Sequence, residues 1–235
     1  MNSVATIQSM GTLYLVRHGQ ASFGAADYDN LSPLGHQQSV RLGEYLAAKG
    51  LKFDAVLVGT LKRHAQTLAG VQEGMKTAHD GLLWPGLNEY DSHAVISAVH
   101  PAPLAKPDTP EMYRNHFRIL RNGLTQWMNG ASQPHGMPSY RDFQKGVTSA
   151  LDYVRAHADL GPKSNVLMVS SGGPISTAVG HVLGTSPEMT IELNLRIRNT
   201  SITEFDFNPK RHMLVTYNTL PHLDHADYAS WVTYS

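Results

Sequence analysis

Three short segments place polar, chemically capable side chains directly after apolar runs. Arg17-His18-Gly19 follows Leu13–Val16, and Gly59-Thr60-Leu61-Lys62-Arg63 follows Ala55–Val58. Ser170-Ser171-Gly172-Gly173 follows Val166–Val169. Two guanidiniums can each grip two oxygens of a tetrahedral anion in plane, which suits a phosphoryl dianion. A histidine held among arginines is biased toward its neutral form. Neutral imidazole keeps a lone pair and is able to form a covalent intermediate. Gly19 lets backbone approach a ligand closely, and Gly172-Gly173 supplies amide donors where a helix opens. The chemistry these types support is capture and attack of a phosphoryl group.

Elements that would bring the three segments together are readable in the same stretch of chain. The three apolar runs read as strands buried on both faces. Ser32-Pro33 is a helix start with serine as cap and proline in the first turn, and that helix stops at Gly50. A second helix runs from Leu61. A long one runs from about Ser139 to Ala158, and another opens at Gly173-Pro174 and ends at Gly184. Ile202–Phe207 and Met213–Tyr217 read as strands around the polar connection NPKRH. Such alternation predicts an α/β fold, a three-layer sandwich with a mainly parallel central sheet. In a sheet of this kind ligands bind beyond the carboxyl ends of the strands. Arg17, His18 and Arg63 are therefore expected to meet in one pocket. The proline-rich segment 92–138 contains a helix with Tyr113, Phe117, Leu120, Leu124 and Trp127 in a stripe. It reads as a cap-like insertion within a single domain spanning 11–235, after a disordered tail at 1–10.

Composition removes several function classes. Lys plus Arg equals Asp plus Glu at 19 each, so no global field draws the chain to nucleic acid or an anionic membrane. With no cysteine, disulfides, thiolate catalysis and cysteine-based metal sites are excluded. The 13 histidines show no paired H-x-x-x-H spacing, and no metal site is expected. The first ten residues carry neither Lys nor Arg and no long apolar run, unlike a secretory signal. The expectation is a soluble, cytoplasmic protein with a small phosphorylated substrate as its partner.

Taken in order, LYLVRHGQ, LSPLGHQQ, TLKRHAQT and LNEYD resemble the histidine phosphatase superfamily in its phosphoglycerate mutase-like branch, over Leu13 to about His222. The resemblance implies hydrolysis of a phosphomonoester without a cofactor. His18 would carry a phosphohistidine, and Arg17 and Arg63 would hold the phosphoryl oxygens. Glu89 would protonate the leaving oxygen and then take a proton from water. The family's second catalytic histidine lies in a V-x-H-G-G segment, and Ser171 stands in its place here. That departure implies reduced activity, or a non-catalytic phospho-ligand-binding or scaffolding member as the alternative. Ser171, Gly172, Gln20, Ser22 and His222 are the expected substrate contacts. His222 and His64 are the imidazoles that could substitute for the absent one. His64 is disfavoured because adjacent helix positions point about 100° apart. Mutases of the family resemble R-H-G-x-S/T-x-W-N, and RHGQASFG departs from it at Ala21 and Gly24, favouring hydrolysis over transfer.

Overall fold

The structure is a computed structural model that describes residues 10–22, 29–157 and 159–234. The expected tail at 1–10 lies outside these residues except for Met10. One six-stranded sheet organises the chain. Its strands are β1 (Gly11–Arg17), β2 (Ala55–Val58), β3 (Leu82–Leu83), β4 (Asn165–Ser170), β5 (Ile202–Asn208) and β6 (Arg211–Thr219), in the order β3-β2-β4-β1-β5-β6. β1, β2 and β3 run parallel to their neighbours through β4 and β2, while β5 is antiparallel to both β1 and β6. The three apolar runs are thus adjacent, and Arg17 pairs with Ser170 while Val58 pairs with Val169.

Period-two alternation sorts the strand residues into two cores. Val16, Val56, Val58, Leu167 and Val169 face α1 (Pro33–Ala48) and α2 (Lys62–Met75), where they pack on Leu42, Leu46, Leu68 and Val71. Leu13, Leu15, Leu57, Val166 and Met168 face the remaining helices. These are α3 (Ser92–Ser97), α4 (Pro110–Met128), α5 (Tyr140–Ala156), α6 (Gly172–Leu183) and α7 (Pro187–Leu195). Both faces are covered, which is why these strands carry almost no polar residue before their ends.

Caps fall where the sequence places them. Ser32 accepts the Gly35 amide with Pro33 in the first turn, Ser139 accepts the Asp142 amide, and Gly184 ends α6 at φ 67°. In segment 92–138, Leu120, Leu124 and Trp127 of α4 enter the second core, whereas Tyr113 and Phe117 remain exposed. Trp127 meets Tyr90, Tyr140 and Phe143 at ring-centre distances of 5.9, 5.2 and 5.3 Å. Each such pair contributes about 0.5–1.5 kcal/mol beyond its buried area, and together they fix the backbone beside Glu89. Among the described residues, no helix is long and apolar enough to cross a membrane.

Candidate active site

His18 follows β1, and its backbone N–H donates to the Ser170 carbonyl at 2.9 Å, extending the β1–β4 pairing by one residue. The His18 side chain is buried. Its Nδ1 lies 2.7 Å from the Gly19 carbonyl oxygen. A carbonyl only accepts, so Nδ1 carries the ring proton and Nε2 keeps its lone pair. Burial, then the charges of Arg17 and Arg63, then His64, hold the His18 pKa well below the ordinary 6.5. The ring is held toward a neutral base whose Nε2 keeps its lone pair.

The arginines are held from different elements. Arg17 NH1 donates to the Ile197 carbonyl at 2.6 Å and to the Tyr234 carbonyl at 2.9 Å. Arg63 lies in the first turn of α2, is 7% exposed, and bonds Asp29 Oδ1 at 2.7 Å. The other oxygen of Asp29 accepts the Lys62 amide at 2.9 Å, so one carboxylate orients both the helix start and the guanidinium. Thr67, one turn on, accepts the Gly19 amide at 3.0 Å and donates to the Arg63 carbonyl at 2.7 Å. This links α2 to the loop after His18.

Glu89 lies just past a 3-10 turn at Pro85–Leu87, and three bonds fix the loop. Ser170 Oγ donates to the Leu87 carbonyl, Thr60 N–H donates to Asn88 Oδ1, and Asn194 Nδ2 donates to Tyr90 Oη. Both Glu89 oxygens accept the Gly173 amide in the first turn of α6, at 3.0 and 3.2 Å. Desolvation raises the Glu89 pKa above 4.5, against the Gly173 bond and the charges of Arg63 and Arg17. Those same arginines act on His18. The structure therefore brings Arg17, His18, Arg63 and Glu89 into one electrostatic neighbourhood.

The remaining expected contacts divide. Ser171 opens α6, with Gly172 as its first residue, and is fully buried. Gln20 and Ser22 are engaged further along the loop, where Gln20 Oε1 accepts Ser32 Oγ and Ser22 Oγ donates to the Leu31 carbonyl. His222 is buried with Nε2 3.0 Å from the Oγ1 of Thr200, whose amide bonds the Arg17 and His18 carbonyls, and with its ring against Tyr45. His93, His100, Lys106 and His116 of segment 92–138 line one pocket beside α3.

His64 departs most from the sequence reading. It is fully buried, its ring centre is 5.8 Å from that of His18, and its Nε2 is 2.7 Å from Ser171 Oγ. The 100° argument holds along the flank of a helix. Arg63 and His64 sit in the first turn of α2, whose end points at the site, so adjacent side chains splay around the pocket together. Thr67, Asn199 and Thr200 are also part of this framework without any sequence signal of their own. Asn199 Nδ2 donates to the His18 carbonyl, and the Thr200 amide donates to the carbonyls of Arg17 and His18.

The histidine phosphatase superfamily (branch 1) matches residues 13–220. A broad-specificity phosphatase of Saccharomyces cerevisiae is 24% identical over 181 residues, and the match spans 69% of this chain and 66% of that protein. A 2,3-bisphosphoglycerate-dependent phosphoglycerate mutase of Nitratidesulfovibrio vulgaris is 26% identical over 224 residues, spanning 79% of this chain and 83% of that one. Among solved structures, the phosphoserine phosphatase of Entamoeba histolytica in complex with phosphoserine superposes with a TM-score of 0.62. The identity is 21%, and the match covers 91% of this chain and all of that one, a likeness of fold.

Proposed function

The chain belongs to the histidine phosphatase superfamily, and from that membership we propose that it hydrolyses a phosphomonoester through a phosphohistidine on His18. The observation that carries this reading is the His18 tautomer. With Nδ1–H spent on the Gly19 carbonyl, a neutral Nε2 lone pair remains on a ring that feels the charges of Arg17 and Arg63, the same charges that act on Glu89. Nε2 attacks phosphorus as the bond to the ester oxygen breaks. Glu89, whose acid form burial favours by raising its pKa, gives its proton to the departing oxygen. The carboxylate so formed then takes a proton from the water that attacks the phosphohistidine. Inorganic phosphate leaves, Nε2 regains its lone pair, and Glu89 ends protonated again. Arg17 and Arg63 hold the phosphoryl oxygens in both steps and offset the charge that builds on them.

Hydrolysis is favoured over transfer between two substrates by the loop after His18, where Ala21 stands at the position of the mutase hydroxyl residue. A serine at 171 is a neutral donor where the family resemblance calls for a histidine. Neutral hydrogen bonds contribute roughly 0.5–1.5 kcal/mol against roughly 1.5–3 for charged ones. An unassisted Ser171 would therefore leave the reaction slow, and a phospho-ligand-binding protein is the limiting case. A panel of phosphomonoesters assayed with wild type and His18→Ala separates these readings. Turnover by the wild type, lost in the variant, together with acid-labile phosphate on the wild-type chain after quenching, is the expected result. Turnover that survives His18→Ala overturns the mechanism.

A further inference from the structure

Ser171 and His64 form a pair that no step above uses. Serine at the mouth of a helix ordinarily caps it by accepting an amide of the first turn. Ser171 does not: its side chain accepts no bond from the start of α6. Its Oγ lies 2.7 Å from His64 Nε2 instead, and both residues are fully buried. The site makes room for the arrangement at Gly59, where a Cβ would fall 2.1 Å from His64 Nδ1. The Gly59 backbone beside that nitrogen favours the protonated ring against the larger effects of burial and Arg63, yet Nδ1 makes no aligned hydrogen bond. Among the described residues the ring's aligned hydrogen bond is therefore the one between Nε2 and Ser171.

The pair abuts the nucleophile. The His64 ring is 5.8 Å from the His18 ring, and Ser171 follows directly on Ser170, whose carbonyl holds the His18 amide. Two hydrogen placements are available between an imidazole and a hydroxyl. In one, Ser171 gives its hydrogen to Nε2 and presents only lone pairs to whatever sits beside His18. In the other, Nε2–H donates to Oγ and the hydroxyl is free to donate onward. An anionic phosphoryl group requires donors, so its arrival selects the second. Linked hydrogen bonds polarise one another, and a serine that accepts from imidazole is a better donor than a lone serine.

Resting on the phosphohistidine reading, we propose that His64 is a positioning residue that acts through Ser171, making a two-link relay His64 Nε2–H to Ser171 Oγ–H to phosphoryl oxygen. The imidazole missing at position 171 is supplied from α2, one hydroxyl further back. No bond to a heavy atom forms or breaks in the relay, and each hydrogen stays on its own donor while the phosphoryl charge is stabilised.

The test is a mutant cycle with p-nitrophenyl phosphate, read as turnover and as the amplitude of phosphohistidine formed in a single turnover, with thermal melting alongside. Ser171→Ala and His64→Ala should each lose turnover on the order of 10²-fold, the loss typical of removing one aimed donor. The double variant should lose less than a further tenfold, because the two act as one unit. His64→Gln, whose amide nitrogen reaches the place of Nε2, should recover at least tenfold over His64→Ala. Adding Ser171→His to His64→Ala should likewise restore turnover. A purely structural histidine would give none of these rescues. Should His64→Ala fail to fold, the cycle of Ser171→Ala with His64→Gln decides: glutamine must then have no effect once the serine is gone. Losses that multiply, or a folded His64→Ala with wild-type turnover, overturn the relay. If His18→Ala is dead in that same assay the phosphohistidine reading stands without the relay, and if His18→Ala is active both fall.

Discussion

Glu89 receives the backbone amide of Gly173 on both carboxylate oxygens, at 3.0 and 3.2 Å. The closeness depends on residue 173 having no side chain. A Cβ there would fall 2.1 Å from Glu89 Oε1 and 2.6 and 2.7 Å from ring carbons of Tyr90. Gly173→Ala must therefore push the carboxyl away from its amide and from the arginines. Because a positioned acid contributes about 10²–10⁴-fold, turnover should fall by on the order of 10²-fold. The melting temperature should drop only by the few degrees that about 1–2 kcal/mol of overpacking costs. Steady-state kinetics beside a melting curve checks both numbers. Unchanged turnover would remove Glu89 from the reaction.

The pH profile follows from two opposed shifts. His18 is held well below its ordinary 6.5, so it is already a free base under mildly acidic conditions and should put no inflection near 6.5 on the acid limb. Glu89 is raised above 4.5 and in the proposed mechanism gives its proton first, so kcat should decline as pH rises through its pKa. Glu89→Gln should abolish that decline. It should also cost an alkyl phosphate far more than p-nitrophenyl phosphate, whose phenolate leaves without a proton. Equal losses for the two substrates would count against the acid role.

Legibility in the sequence tracked how local each signal was. Strands ending at Val16, Val58 and Val169 are continuous apolar runs, and their adjacency in the order β2-β4-β1 follows from burial on both faces. Arg17, His18 and Arg63 were readable for the same reason, since each lies just beyond such a run. Elements with short or conflicting signals were not readable. β3 is only Leu82–Leu83, exposed at the sheet edge. In α7, Met189, Ile191, Leu193 and Leu195 alternate as in a strand, and the helix is decided by the Ser186 cap and Pro187. Glu89 follows a 3-10 turn rather than a strand, so only the family resemblance singled it out. His64 and Ser171, 107 positions apart, meet only in the folded chain.

Asp29 exerts two effects that substitution can separate. Its carboxylate fixes Arg63 at 2.7 Å and caps α2 through the Lys62 amide, but its negative charge opposes an incoming dianion. Asp29→Asn keeps an acceptor and loses the charge. Inorganic phosphate should then inhibit about fivefold more strongly, matching ~1 kcal/mol of relieved repulsion. Asp29→Ala loses the acceptor as well, and kcat should fall as the guanidinium loses its orientation. Inhibition constants for phosphate across the three proteins measure the charge effect, and kcat measures the orientation. Weaker phosphate binding in Asp29→Asn would mean that the carboxylate serves mainly to hold the arginine.

His222 supports the site from behind through Thr200. The Thr200 hydroxyl donates to the Asn199 carbonyl at 2.7 Å, so its oxygen must accept from His222 Nε2–H at 3.0 Å. Thr200 is held at φ 54°, a left-handed conformation that costs a β-branched residue energy, and its amide bonds the carbonyls of Arg17 and His18. His222→Ala should cost about 2–3 kcal/mol near neutral pH. Turnover of the folded protein should stay within an order of magnitude, because the partners of this ring among the described residues are Thr200 and Tyr45, one step removed from Arg17 and His18. The deficit must also depend on pH. Burial, with a smaller push from Arg41, lowers the His222 pKa from 6.5 to about 3, so the unfolded chain binds a proton here that the native chain refuses. Native stability contributed at this position is whole above 6.5 and drains away as pH falls toward 3, by about 1.4 kcal/mol per pH unit. His64, lowered to about 3, and His212, lowered to about 4, add slopes of the same sign in both proteins. Urea unfolding of wild type and His222→Ala between pH 7.5 and 5 should therefore show the two stabilities converging as the solution is acidified. A gap that stays constant over that range would mean His222 is already charged in the native protein and is held by something other than the threonine.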